Sequence, residues 1–153
     1  KNIIKTKDTL AEDYKLYITF YEDSECSVKV TDGEYKEIII KDLIIEPIKL
    51  KHFTLNSYAF KIDNFAYVTD LSELSEEAFN TLKGTEYLII EALRHEPHYS
   101  HICLSEAIDI AQRLGVKKAW FTHIGHSMGK AADINPTLPE NMMLAYDGME
   151  III

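Results

Sequence analysis

A change of hydrophobic period near Asp70 constrains this chain more than any other feature. Upstream, apolar residues come in short runs and alternations, as in "CSVKVTDGEYKEIII", "LIIEPIKLKHF" and "SYAFKIDNFAYVTD". Runs of this kind bounded by turn residues predict strands. Asp32-Gly33 is a favoured tight-turn pair, so the first stretch predicts a hairpin, and a second hairpin is expected to turn at Asp63-Asn64. Pro47 has no N–H for a sheet ladder, so its strand should meet an edge or a bulge there. The stretch 8–20 is expected to begin as a short helix capped by Asp8.

Downstream the period becomes helical. "LSEEAFNTLKG" has Ser75 as an N-cap, Glu76 and Glu77 in the first turn and Gly84 as a stop. "TEYLIIEAL" reads as a buried strand. "CLSEAIDIAQRLG" sets Leu104, Ala107, Ile108, Ala111 and Leu114 on one helical face closed by Gly115. "VKKAWFTHI" is again strand, and "NMMLAYDGMEIII" predicts a terminal strand pair turning near Asp147-Gly148. Strands first, then strands alternating with helices, predict an α/β layer: a sheet with helices on one outer face.

At 153 residues with 46% hydrophobic and 27% charged residues, the chain can bury the core of one domain. No apolar run approaches the roughly 20 residues of a membrane helix, and no signal-peptide pattern opens the chain. The net charge of −9 argues against broad binding to nucleic-acid backbones or anionic membranes. It leaves open a small phosphate-containing substrate, because a bound metal reverses the local sign. Cys26 and Cys103 are the only cysteines and form no CxxC, which reads as a reduced, cytoplasmic protein. The chain opens on Lys1 rather than methionine, so the expectation is a processed or truncated product.

Chemistry-bearing residues collect where apolar runs end. His52 follows "PIKLK", Asp70 follows "FAYVT" and His123 follows "AWFT"; "EALRHEPHYSH" adds His95, His98 and His101 behind another strand. In layered α/β folds, site residues converge in the loops beyond strand ends. A lone histidine there is ordinarily an exposed polar residue, and a lone aspartate begins a turn. The set is more telling, since imidazole and carboxylate at successive strand ends are the donors that Zn²⁺, Mn²⁺ or Fe²⁺ accept.

Taken together, "KLKHF", "AYVTD", "EALRHEPHYSHICLSEA", "FTHIGH" and "LAYDGMEI" resemble the metallo-β-lactamase superfamily over roughly residues 38–153. The nearest resemblance is to its phosphodiesterase branch, which includes the cyclic ribose-phosphate phosphodiesterase of phosphonate breakdown. It implies an αββα sandwich, of which this chain would be the C-terminal half, a mixed sheet with outer helices. It also implies a hydrolase using water activated by two metals, Zn or Mn, on a small phosphodiester-type substrate. By the same resemblance His52, Asp70 and His123 are metal ligands, with Asp70 bridging. His101 is the catalytic general acid or transition-state stabiliser, and His98 and His126 are supporting or substrate-binding positions.

The superfamily's HxHxDH ligand loop is absent, and residues 1–51 contain no histidine. The expectation is a chain that begins after that loop and carries three of the usual seven ligand positions. Such a chain alone would hold partial metal or none, the missing N-terminal half lying elsewhere. Cys103 stands where the branch places a hydroxyl at a helix N-cap, a weaker cap by about 1 kcal/mol. A contrasting reading is a catalytically inactive half-domain serving interaction or oligomerisation. Sheet surface left bare by a missing half would favour a homodimer or pairing with that half.

Overall fold

The computed structural model describes residues 5–6, 18–19, 26–31, 34–40 and 43–152. The helix start expected at Asp8 and the Asp32-Gly33 turn itself lie outside them, while Ile18–Thr19 at the end of the 8–20 stretch are strand. Strands β1 (Lys5–Thr6) and β2 (Ile18–Thr19) form a small antiparallel pair. The main sheet contains β3 (Cys26–Thr31), β4 (Glu34–Ile40), β5 (Leu43–His52), β6 (Leu55–Ile62), β7 (Phe65–Val68), β8 (Tyr87–Glu91), β9 (Lys118–Thr122) and β10 (Met142–Leu144). Its eight strands lie in the order β10-β9-β8-β7-β6-β5-β4-β3.

The period change marks a change of ladder. From β3 to β7 neighbours are antiparallel, with Thr31 opposite Glu34 and Ile62 opposite Phe65. From β7 to β10 every pair is parallel, so each return needs a crossover. Helix α1 (Glu76–Leu82) lies between β7 and β8, and α2 (Leu104–Leu114) lies between β8 and β9. Between β9 and β10 come 3₁₀ turns at His126–Met128 and Asn135–Thr137 and the short α3 (Ala131–Ile134). Pro47 sits beyond the last β4 pairing, Ile38 with Ile45, and faces Phe60 on β6. The strand is a local edge there, as the missing donor requires.

Both helices begin and end as their residues dictate. Ser75 Oγ accepts the Ala78 N–H at 3.2 Å, and Gly115 closes α2 in the left-handed conformation. At the α2 N-terminus the Cys103 thiol contacts Ser105 Oγ, while Glu106 accepts the Cys103 N–H at 2.7 Å and supplies half of a capping box. Leu104, Ala107, Ile110 and Ala111 are buried, with Ile108 and Leu114 packed at the margin. Ile110 falls outside the face expected from the sequence, because a helix covering a sheet buries a wider stripe than one row.

Register sorts the sheet into two faces. Ala66, Leu88, Ala119 and Met142 line up across the strands, as do Val68, Ile90, Phe121 and Leu144. All eight are buried in one core with Leu82 of α1 and Ala107 and Ala111 of α2. The opposite face carries Tyr67, Ile89 and Trp120 in register, and Tyr67 is exposed. A smaller cluster of Ile38, Ile45, Phe60 and Ile62 lies farther along the antiparallel half.

The C-terminal strand pair is a correction. A turn does form at Asp147-Gly148, with Gly148 at φ +81° and Met149 N–H donating to the Tyr146 carbonyl. The chain has left the sheet by then, after Ala145 N–H donates to Phe121 O, so among the described residues nothing returns to pair with β10.

An ion pair ties the starts of β8 and β9. Lys117 Nζ lies 2.8 Å from Glu86 Oε1, and Asn64 Nδ2 donates to Oε2 at 2.9 Å. The hydrogen bond from Lys117, then that from Asn64, holds the Glu86 carboxyl below its usual value, and the same contact raises Lys117. The stabilisation from Glu86 is present above its ordinary pKa and is lost as pH falls through the lowered one. That from Lys117 is present below its ordinary pKa and is lost as pH rises through the raised one. Glu86→Gln is therefore expected to lower the thermal midpoint slightly near neutral pH and not in strong acid. Melting curves at the two pH values check it, and the difference should shrink with salt.

Candidate metal centre

Strands β7, β8 and β9 are adjacent and parallel, so their carboxyl ends come out at one edge. The residues there are Asp70, Glu91 and His123. Strand β5 runs in the same direction, being two antiparallel steps from β7, and its last residue is His52. Four strands thus deliver acid or imidazole to one rim. The loop after β8 adds His101: Leu93 N–H donates to Ile102 O, and Ile102 N–H to Leu71 O, folding the loop back over the rim.

Donor atoms of Asp70, Glu91, His101 and His123 lie within 4.8 Å of one another. His123 Nδ1 is 3.6 Å from Asp70 Oδ1 and 3.3 Å from Glu91 Oε2. His52 stands immediately outside this four, its ring centroid 4.6 Å from that of His101. Its Nδ1 lies 2.8 Å from the Ser100 carbonyl oxygen, which makes Nδ1 the protonated nitrogen and leaves the Nε2 lone pair for a ligand. His98 is one ring farther on, 5.6 Å from His101, with Nδ1 accepting from Ser100 N–H at 3.3 Å. Partial burial, then the nearby Arg94 and His101, hold the His98 imidazole below its usual pKa. His126 is exposed at the start of a 3₁₀ turn and outside the four, and His95 Nε2 lies 2.9 Å from the Met128 carbonyl oxygen instead.

Glu91 is the site residue that the motif reading passes over. Its side chain is 0% exposed. Oε2 accepts from Asp70 N–H at 2.9 Å and lies 3.0 Å from His101 Nδ1; Oε1 accepts from Leu71 and Ile102 N–H, both at 3.2 Å. One buried carboxylate therefore sets the backbone at Asp70 and the ring of His101. With Nδ1–H directed at Glu91, neutral His101 carries its lone pair on Nε2. The signal was present: Glu91 closes "YLII" as Asp70 closes "FAYVT".

The rim is also where the backbone is strained. Asp70 and His123 have φ of +58° and +54°, and the neighbouring Phe53 has +55°. Left-handed conformations cost non-glycine residues on the order of 1–3 kcal/mol and persist only when surroundings enforce them. Here Glu91 holds the Asp70 amide and Ser57 Oγ donates to the Asp70 carbonyl. Gly125 of "HIGH" serves a close approach: its N–H donates to Leu93 O at 2.8 Å, and a Cβ would stand 3.0 Å from that oxygen.

The donor set suits a divalent ion. Asp70 and His123 are 47% and 38% exposed in their side chains. Mixed oxygen and imidazole donors match Zn²⁺, Mn²⁺ or Fe²⁺. A groove of about 440 Å³ along β5 and α1, lined by residues such as Pro47, Leu50 and Ala78, holds none of these donors. The donors sit instead on the open strand-end surface.

Comparison with known proteins agrees with this architecture. Residues 3–124 match the model of the family described as Beta-lactamase superfamily domain, beginning well upstream of the 38–153 that the motifs alone suggest. The chain is 30% identical over 115 residues to an octanoyltransferase of Porphyromonas gingivalis, covering 74% of this chain and 23% of that protein. It is 32% identical over 91 residues to a ribonuclease Z of Agathobacter rectalis, covering 55% of this chain and 30% of that protein. Among solved structures, a diphosphatase of the PhnP family superposes with a TM-score of 0.71 at 32% identity, covering 74% of this chain and 44% of that one. The short form of human tRNase Z shares the fold, with a TM-score of 0.58 at 16% identity, over 75% of this chain and 45% of that one. The chain thus spans less than half the length of each of these relatives. With this family match spanning most of its length, and with its mixed sheet and strand-end acids and histidines, the chain belongs to the metallo-β-lactamase superfamily.

Proposed function

We propose that this chain carries part of the active centre of a metal-dependent phosphodiester hydrolase, completed by a segment bearing further ligands. The observation that carries the reading is the meeting of Asp70, Glu91, His101 and His123 donor atoms within 4.8 Å at the carboxyl ends of parallel strands. Asp70, His123 and His52 would hold two divalent ions. When bound, the ions supply charge that polarises the phosphoryl group and makes the attacking water more acidic. Glu91 has its oxygens committed to backbone amides and His101, so its part is to orient them. His101 then presents Nε2 to the leaving oxygen and, when protonated there, passes it a proton. His98 and His126 would border the substrate rather than the ions.

Among the described residues no helix packs on the sheet face that carries exposed Tyr67 with Ile89 and the buried Trp120, which favours a second layer against it. That layer would bring the ligand loop this sequence lacks. The buried, free Cys103 suits a reduced cytoplasmic setting.

Metal removal tests the reading. The complete protein, stripped by chelation, is expected to lose hydrolysis of bis(p-nitrophenyl) phosphate and to regain it with Zn²⁺ or Mn²⁺. Hydrolysis that proceeds unchanged after chelation would overturn it.

A further inference from the structure

Beside the strand-end cluster lies an aromatic surface that the chemistry above does not use. Phe53 is 53% exposed and Tyr99 71% exposed, and their rings meet edge to face at 5.2 Å. The His98 ring lies 4.4 Å from Tyr99 at an interplanar angle of 32°. This surface is continuous with the cluster: Phe53 follows His52, and the His52, His98 and His123 rings stand 4.6, 5.6 and 4.8 Å from His101.

Phe53 is a costly choice. It occupies the two-residue turn between His52 and Leu55 with φ +55°, a position that favours Asn, Asp or Gly. A bulky residue there pays in backbone strain as well as in exposed apolar area. Ser72 Oγ accepts the Phe53 N–H at 2.9 Å and helps to hold the conformation. A turn built this way keeps an aromatic ring beside the histidines at a stability cost that Asn or Gly would avoid.

We propose that Phe53 and Tyr99, flanked by His98, form a stacking site for the base of a nucleotide whose phosphate lies at the strand-end cluster. This rests on the phosphodiester reading and narrows its substrate class to nucleotide-type esters. Aromatic faces accept any base, and each stacked base adds appreciably to affinity. The surroundings favour a small nucleotide over a polymer. Of the neighbouring cations, Lys51 lies 3.3 Å from Glu73, and Arg94 donates to the Glu96 and Pro97 carbonyls, so neither extends a basic track for a long backbone.

Titration calorimetry of the complete protein with Mn²⁺, using adenosine 5′-monophosphate against ribose 5-phosphate, isolates the base. The nucleotide is expected to bind on the order of tenfold more tightly. Phe53→Ala and Tyr99→Ala should each bring the ratio of affinities toward one, and Tyr99→Phe should keep it. Equal binding of the two phosphates, binding of neither, or a preference that survives both alanine substitutions overturns the proposal. So does a Phe53→Ala variant that only converts a dimer to a monomer in sedimentation, since the ring would then serve a second copy of the chain. Metal dependence of hydrolysis is read separately. A base preference without it would sink the phosphodiester reading alone, and metal dependence without a base preference would sink this one alone.

Discussion

Asp70→Ala in the complete protein is expected to empty the metal site and to lower phosphodiester hydrolysis by about a thousandfold or more. The carboxylate is a charged donor on a rigid strand end, its Oδ1 3.6 Å from His123 Nδ1. Charge neutralisation at a phosphoryl group is worth several kcal/mol, and each 1.4 kcal/mol is about tenfold in rate. The fold should survive. The side chain is 47% exposed, and the backbone contacts through the Asp70 amide and carbonyl remain available to alanine. The cost is that of alanine at φ +58°, about 1 kcal/mol beyond aspartate. Metal content, circular dichroism and turnover of the variant separate these effects. Wild-type metal content with wild-type turnover would remove Asp70 from the chemistry.

Glu91→Ala is expected to do the reverse, striking stability first. It strands the amide of Leu71 in the interior and that of Asp70 at the rim without their acceptor, while the Ile102 amide keeps the Leu71 carbonyl. A buried polar group left unsatisfied costs about 1–3 kcal/mol, so the variant should lose roughly 2–6 kcal/mol. Against a typical total of about 5–15 kcal/mol, that brings the urea midpoint close to zero for a marginal domain. Glu91→Gln keeps the shape and one acceptor oxygen but aims an amide donor at other donors. It should fold with an intermediate loss and weaken metal binding by about 10–100-fold through a misaligned His101. A Glu91→Ala chain unfolding within about 0.5 kcal/mol of wild type would refute the organising role.

Much of this site could be read from residue order. Asp70 and His123 close apolar runs, and parallel strands separated by helices bring such ends to one edge. Glu91 obeys the same rule, yet the histidine-rich loop behind it draws attention away. Its acceptor role depends on amides at Leu71 and Ile102, one far upstream, which no local pattern reports. His101 and His98 stand side by side because the loop folds back, whereas His95 turns to the Met128 carbonyl and His126 to solvent. Three histidines evenly spaced at 95, 98 and 101 thus acquire different surroundings, as does His126. The aromatic pair is a similar case: Phe53 and Tyr99 belong to separate loops, and their contact exists only once β5 and the β8–α2 loop share a rim.

Residue order by itself determined where most of the described strands and both longer helices form, most of their apolar faces, and which donors stand at strand ends. These are local properties, set by side-chain alternation, caps and backbone sterics within a few residues. The three-dimensional packing decided which donors meet, that Glu91 rather than a histidine orders the rim, and that Phe53 and Tyr99 touch. Those outcomes depend on strand direction and register among distant segments, fixed cooperatively by burial of one shared core.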